Sequence, residues 1–184
     1  MILSNTEKYK NLIKDLCLIP GLSGYEDNVR KYLENNLNLN KLKYSSDSLG
    51  NLICTLPGKK NFPSIMLFAH MDQLGFVIKK IEENGYIRVE RLGGVPEKAL
   101  ASQEVTIQAN DGKYYNGIIG NKSHHATSVN EKYNVLSYRD IFIDAGFTSK
   151  VEVLKKGINI GSPITYNPYF KSIGSHCVTG TSID

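Results

Sequence analysis

The sequence predicts an α/β protein in which an incomplete α/β unit is interrupted by a β-rich, barrel-like insertion. Three observations carry that expectation. Amphipathic helical patterns open the chain, before residue 38. The apolar run Ser64-Ile65-Met66-Leu67-Phe68-Ala69 shows no alternation, as in a strand covered on both faces. From residue 76 the texture changes to short strand-like stretches separated by Asn-Gly and Asp-Gly turns.

Taken in order, residues 6–18 read as a helix with Leu12, Ile13 and Leu16 on one face and Pro20-Gly21 as its stop. Ser23-Gly24-Tyr25-Glu26 has capping-box spacing, which assigns the Ser23 hydroxyl and Glu26 carboxylate to the amides that open a second helix. That helix runs to Leu37 on a stripe of Val29, Leu33 and Leu37. Asp47-Ser48-Leu49-Gly50-Asn51 is a turn between strands near 42–44 and 51–56, and 65–69 is a third strand. Hairpin patterns follow at 76–81 with 86–91 and at 104–109 with 113–119. A hint of helical period occurs at 138–140, while 151–153 and Gly161-Ser162-Pro163-Ile164-Thr165-Tyr166 extend the strand set. Strand character returns at Cys177-Val178. The expected divisions are 1–75, 76–167 and 168–184, the last able to rejoin the first sheet. The α/β part alone is too small to cover both faces of a buried strand.

Composition narrows the function. A chain of 184 residues, 41% hydrophobic and 22% charged, is an ordinary globular sequence with room for one domain plus an insertion. Its formal charge of +4 is dispersed as Lys59-Lys60, Lys79-Lys80 and Lys155-Lys156, which suits strand edges and turns. No basic stripe interleaved with aromatics points to nucleic acid, and a basic barrel binding nucleic acid is the weakest reading. No apolar run is long enough to span a bilayer, and the first residues show no secretion signal. Cys17, Cys54 and Cys177 are odd in number and lack a C-x-x-C pattern, which disfavours a disulfide scaffold and suits packing in a reducing cytoplasm.

The chemistry centres on Ala69-His70-Met71-Asp72. Residues two apart on a strand share a face, so His70 and Asp72 at a strand end can address one cleft. An aspartate beside an imidazole accepts its Nδ1 proton and presents Nε2 to a metal. By itself the H-x-D pattern is equally a core histidine with a loop carboxylate. His124-His125 is the other pair, a candidate for substrate binding; adjacent side chains in extended backbone diverge and chelate together only across a turn. The acidic residues Glu26, Asp27 and Glu34 read as a solvated helix face.

Set in context, Ala69-His70-Met71-Asp72-Gln73-Leu74-Gly75-Phe76 resembles the A-H-x-D-E-I-G-F signature of the M42 metallo-aminopeptidases, which include glutamyl and tetrahedral aminopeptidases. Ser23-Gly24-Tyr25-Glu26, Asp47-Ser48-Leu49-Gly50-Asn51-Leu52, Leu92-Gly93-Gly94-Val95, Gly117-Ile118-Ile119-Gly120, Asp140-Ile141-Phe142-Ile143-Asp144 and Gly161-Ser162-Pro163 resemble further family segments in the family's order. The resemblance covers essentially the whole chain. It implies a peptidase-type α/β domain interrupted by a β-barrel-like dimerisation domain. It also implies a pair of divalent ions (zinc, cobalt or manganese) that activates water for hydrolysis of N-terminal peptide bonds. On this resemblance His70 is a metal ligand, Asp72 the catalytic carboxylate that orients it, and Asp184 the bridging carboxylate that opens a D-D/N-R motif. The segment around His124 and His125 resembles part of the inserted domain.

Departures accompany the match. Gln73 stands where the family shows an acid, and the family's glutamate pair, next metal aspartate and last histidine have no counterpart in residues 1–184. The expectation is therefore a cytoplasmic, homo-oligomeric, M42-type aminopeptidase sequence carrying only part of its site and inactive alone. The alternative is an inactive relative that serves as an oligomerisation or binding module.

Overall fold

The computed structural model describes residues 5–183, so the Asp184 assignment lies outside the described residues. Helix α1 (Asn5–Cys17) and helix α2 (Asp27–Leu39) fall where the apolar periodicity places them. The capping box does not form. Helix α2 starts at Glu26 with no side-chain cap, because the Ser23 hydroxyl is engaged elsewhere and Glu26 Oε1 accepts instead from the Gly24 amide at 2.7 Å.

Strands β1 (Tyr44–Ser46) and β2 (Leu52–Cys54) form an antiparallel pair in the register Tyr44 to Cys54. The turn between them is organised by Asp47, whose carboxylate accepts from the Leu49 and Asn51 amides at 3.0 and 2.9 Å and from Asn51 Nδ2 at 2.8 Å. The Asn51 side chain first, then its amide, hold the Asp47 carboxyl below the usual range. A depressed carboxyl contributes stability above its unfolded pKa and loses it as pH falls through the folded value. The Asn51 amide should therefore exchange faster as pH drops below the ordinary aspartate range, once intrinsic exchange is corrected for. Asp47→Ala should remove that pH dependence, and an Asn51 amide unmoved by either change would contradict the turn's design.

The expected strand at 65–69 is absent. Residues 65–68 carry no regular secondary structure and no sheet partner among the described residues, and Leu67 is 91% exposed. A buried strand needs ladder partners and cover on both faces, and the short β1–β2 pair and two helices supply neither. The sequence pattern was that of a core strand; the described part of the fold lacks the core around it.

The barrel closes as expected. Strands β3 (Gly75–Ile81), β4 (Ile87–Leu92), β5 (Glu104–Gln108), β6 (Tyr114–Gly120), β7 (Phe142–Asp144) and β8 (Pro163–Tyr166) form a closed ring in the order β3-β4-β7-β6-β5-β8. All neighbours are antiparallel. Phe76, Ile78, Ile87, Val89, Val105, Ile107, Ile119, Ile143 and Ile164 fill its interior. A bulge between Ile78 and Lys80 shifts the alternation, so Ile81 points inward while Lys79 and Lys80 stay in water beside Glu90 and Glu82.

Two expectations within this part are corrected. Residues 138–140 form a turn, not a helix. Residues 151–153 belong to helix α3 (Lys150–Lys155), not to a strand. The missed signal is Ser149-x-x-Glu152: the Ser149 hydroxyl accepts from the Glu152 amide at 3.3 Å, and Glu152 Oε2 accepts from the Thr148 amide at 2.9 Å. Strands β9 (Phe170–Ile173) and β10 (Cys177–Gly180) form their own hairpin, which does not join the β1–β2 sheet. Gly180 lets this hairpin approach α1, since a Cβ there would meet Cys17 Sγ and the Tyr169 carbonyl at 2.9 Å. Cys17 is buried, and burial raises its thiol pKa, which suits the packing role; Cys54 and Cys177 are exposed, so the packing expectation does not extend to them.

Candidate active site: a histidine–aspartate–serine relay at the barrel's edge

His70 and Asp72 sit on the segment that leads from the exposed apolar run into β3. Two attachments fix this segment. The Gln73 amide donates to the Gly21 carbonyl at 2.8 Å, and Leu22 and Gln73 form a parallel bridge. Leu22 is fully buried, so the loop that carries Ser23 is anchored through its neighbour. At Gly75 a Cβ would collide with the Ile164 carbonyl and with Leu22 Cδ1 at 2.8 Å; only glycine lets the first barrel strand pass so close to both.

The Asp72 carboxylate joins two partners. Its Oδ1 lies 3.0 Å from His70 Nδ1, and its Oδ2 accepts from the Ser23 hydroxyl. His70 Nδ1 also lies 2.9 Å from the Asp72 main-chain oxygen. Both oxygens facing Nδ1 are acceptors, so this network assigns the proton to Nδ1 and the lone pair to Nε2. The Ser23 hydroxyl, more than His70, holds the Asp72 carboxyl below the usual range against the opposing effect of partial burial. His70 and Asp72 side chains are 63% and 36% exposed, which makes the pair a weak contributor to stability; its value is orientation.

A cleft of about 820 Å³ opens beside this relay, lined by His70, Asp72, Pro96, Gln103, Asn167 and Lys171 among others. It lies between the His70 segment, the barrel and the β9–β10 hairpin. Ser182, on its rim, donates to the Gln73 side-chain oxygen. Gln73 is thus used structurally as an acceptor, a role an acid could equally fill. The cleft is large enough for the end of a peptide, and most of the side chains that line it are polar.

His124 and His125 do not join this site. They form a single 3-10 turn, His124–Ala126, with ring centroids 5.9 Å apart. His124 faces a separate cleft of about 340 Å³, where its Nε2 lies 3.3 Å from Lys132 Nζ. An ammonium at that nitrogen opposes a cation there.

Sequence reasoning placed His70 and Asp72 together but missed Ser23. Its partner is 49 residues away, and the local capping pattern offered a nearer use for the same hydroxyl.

Among the described residues, no three His, Cys, Asp or Glu side chains form a group able to hold a metal ion. The donors present fit one ligand position and its orienting carboxylate, whereas a catalytic ion needs about three protein ligands. Among the described residues no helix is long and apolar enough to cross a membrane.

Comparison with known proteins gives this geometry its setting. A family model described as M42 glutamyl aminopeptidase matches residues 50–184. The putative aminopeptidase FrvX of Escherichia coli is 33% identical over 173 residues, covering 94% of this chain and 48% of that protein. The structure of aminopeptidase APDkam598 from the archaeon Desulfurococcus kamchatkensis superposes with a TM-score of 0.87 at 34% identity, over 96% of this chain and 48% of that one. The Pyrococcus horikoshii TET1 peptidase, described as assembling into a tetrahedron or a large octahedral shell, superposes at 0.78 and 28% identity, over 88% of this chain and 47% of that one. The chain therefore spans about half the length of the relatives it matches. With its barrel, its ordered motifs and a match over most of its length, the chain belongs to the M42 glutamyl aminopeptidase family.

Proposed function

We propose that this sequence supplies the first-histidine portion of a metal-dependent aminopeptidase that removes N-terminal residues from peptides in the cytoplasm. The observation that carries the reading is the His70 Nδ1 to Asp72 Oδ1 contact of 3.0 Å at the mouth of the large cleft. His70 would be one ligand of a divalent centre, and Asp72 the residue that sets its tautomer and ring plane. When bound, paired divalent ions supply an activated water and a polarised scissile carbonyl. Zinc, cobalt and manganese all suit imidazole and carboxylate donors. We assign Asp184 a bridging role on sequence grounds alone. The TET1 peptidase, by its description, can assemble into a tetrahedron or a large octahedral shell; we infer that this chain also self-associates, through the barrel.

The test has two arms. The 184-residue chain alone should show no metal-dependent hydrolysis of aminoacyl anilides and should retain less than one equivalent of zinc on dialysis; robust turnover would contradict the partial site. Fused to the half of the E. coli relative that it does not match, the chain should gain that activity. Asp72→Ala should then lower it by about 10- to 100-fold. A folded fusion without activity would sink the aminopeptidase reading. It would favour the second one, a binding module built on the barrel, whose closed core stands independently of His70.

A further inference from the structure

We propose that Ser23 is a positioning residue for His70, acting through Asp72. The reading rests on His70 being the site's imidazole, yet its geometry is independent of any bound ion.

An ionised carboxylate bonded on one oxygen only can turn about its last side-chain torsion, which is broad and nearly two-fold. Asp72 is held on both. Its Oδ1 faces His70 Nδ1 at 3.0 Å while its Oδ2 accepts a hydrogen bond from the Ser23 hydroxyl. Ser23 thereby fixes the carboxylate plane, and the plane fixes which oxygen the imidazole meets.

The loop that carries Ser23 is itself held on three sides. Leu22 is buried and bridged to Gln73, and the Tyr25 amide donates to the Leu22 carbonyl at 2.7 Å. The Tyr25 hydroxyl reaches the Gly161 carbonyl at 2.7 Å, tying the same loop to the residues just before β8. A serine used only to start α2 would turn toward the amides of residues 25 and 26. Instead that helix has no side-chain cap. The hydroxyl has been taken from the helix and given to the histidine's partner.

The consequence is a bias in the His70 tautomer. Asp72 Oδ1 and the Asp72 carbonyl share the Nδ1 proton. The carbonyl is fixed by the backbone, whereas the carboxylate is an adjustable contributor to the bias, and Ser23 orients it. Loss of one such hydrogen bond corresponds to roughly a three- to tenfold change in an equilibrium ratio.

The experiment reads the ring nitrogens of His70 directly, by long-range 1H–15N correlation on the metal-free chain about two pH units above the ordinary histidine pKa of about 6.5. The wild-type chain should show a protonated Nδ1. Ser23→Ala should lower the Nδ1–H to Nε2–H ratio by about three- to tenfold, and Ser23→Thr should restore it. Ser23→Cys, nearly isosteric but a weak donor, should lower it without leaving a void. In an Asp72→Ala background the Ser23→Ala change should have no further effect, because the route through the carboxylate is gone.

An unchanged ratio in both Ser23→Ala and Ser23→Cys would overturn the proposal. So would an equal effect with and without Asp72, which is what general loosening of the loop produces. Failure of the aminopeptidase reading would leave these ratios untouched, since no metal or substrate enters the measurement.

Discussion

Phe76→Ala should cost the chain about 3–5 kcal/mol of stability, the largest single loss expected anywhere in it. Phe76 is fully buried and belongs to β3, which pairs with β4 on one side and with β8 on the other. Its ring meets Tyr166 edge to face, with centroids 6.3 Å apart, so truncation removes an aromatic pair along with the buried area. Barrel closure depends on the β3–β8 seam, which has only two paired positions, Phe76 with Ile164 and Val77 with Pro163. A cavity there strikes one of the two thin joints of the ring, the other being β4–β7 with the single pair Ile87 and Ile143. Urea unfolding measures the effect as a fall in midpoint with little change in slope. Val151→Ala, on the exposed face of α3, is the control and should stay within about 0.5 kcal/mol. A loss below about 1 kcal/mol for Phe76→Ala would mean that the barrel interior is not the core described here.

The second large effect concerns association. Ile65, Met66, Leu67 and Phe68 are 84–91% exposed on a segment without regular structure or ladder partners among the described residues. Such a segment combines apolar side chains with open backbone donors and acceptors, the recipe for edge-to-edge pairing between chains. The 184-residue chain should therefore form species larger than any closed assembly made by its barrel, increasingly so with concentration. Leu67→Asn combined with Phe68→Ser removes two large side chains, each worth about 1.5–3 kcal/mol when buried. The apparent dissociation constant for the larger species should rise by about two to four orders of magnitude. Sedimentation velocity across a concentration series distinguishes the outcomes. A wild-type chain without such species at about 100 μM, or a double variant that forms them equally well, would refute the assignment to this run.

What the sequence revealed, and what it hid, follows the range of the interactions. The two N-terminal helices, the Asp47 turn and the hairpins at Asn84-Gly85 and Asp111-Gly112 are built from neighbours in the chain, and their residue patterns place them within a few positions. Helix α3 was missed because its six residues hold too little periodicity, although its Ser149 and Glu152 cap is written locally. The run at 65–69 failed in the opposite way. Its composition specifies a core strand, but composition cannot supply the elements that would cover it. The candidate site divides along the same line. His70 and Asp72 are two residues apart, and their pairing is legible. Ser23 reaches Asp72 only because Leu22 and Gln73 are bridged in space, and a residue three positions from Glu26 is more naturally read as a cap.

The close passage at Gly75 has a mechanical consequence. Only Gln73 and Leu74 separate Asp72 from the glycine that is wedged between Leu22 and the Ile164 carbonyl. So short a connection has no slack. A tilt of the barrel is transmitted to the His70 loop as through a lever, with Gly75 as its fulcrum. Any rotation of β3 against Leu22 would therefore carry Asp72 with it, and with Asp72 the oxygen that faces His70.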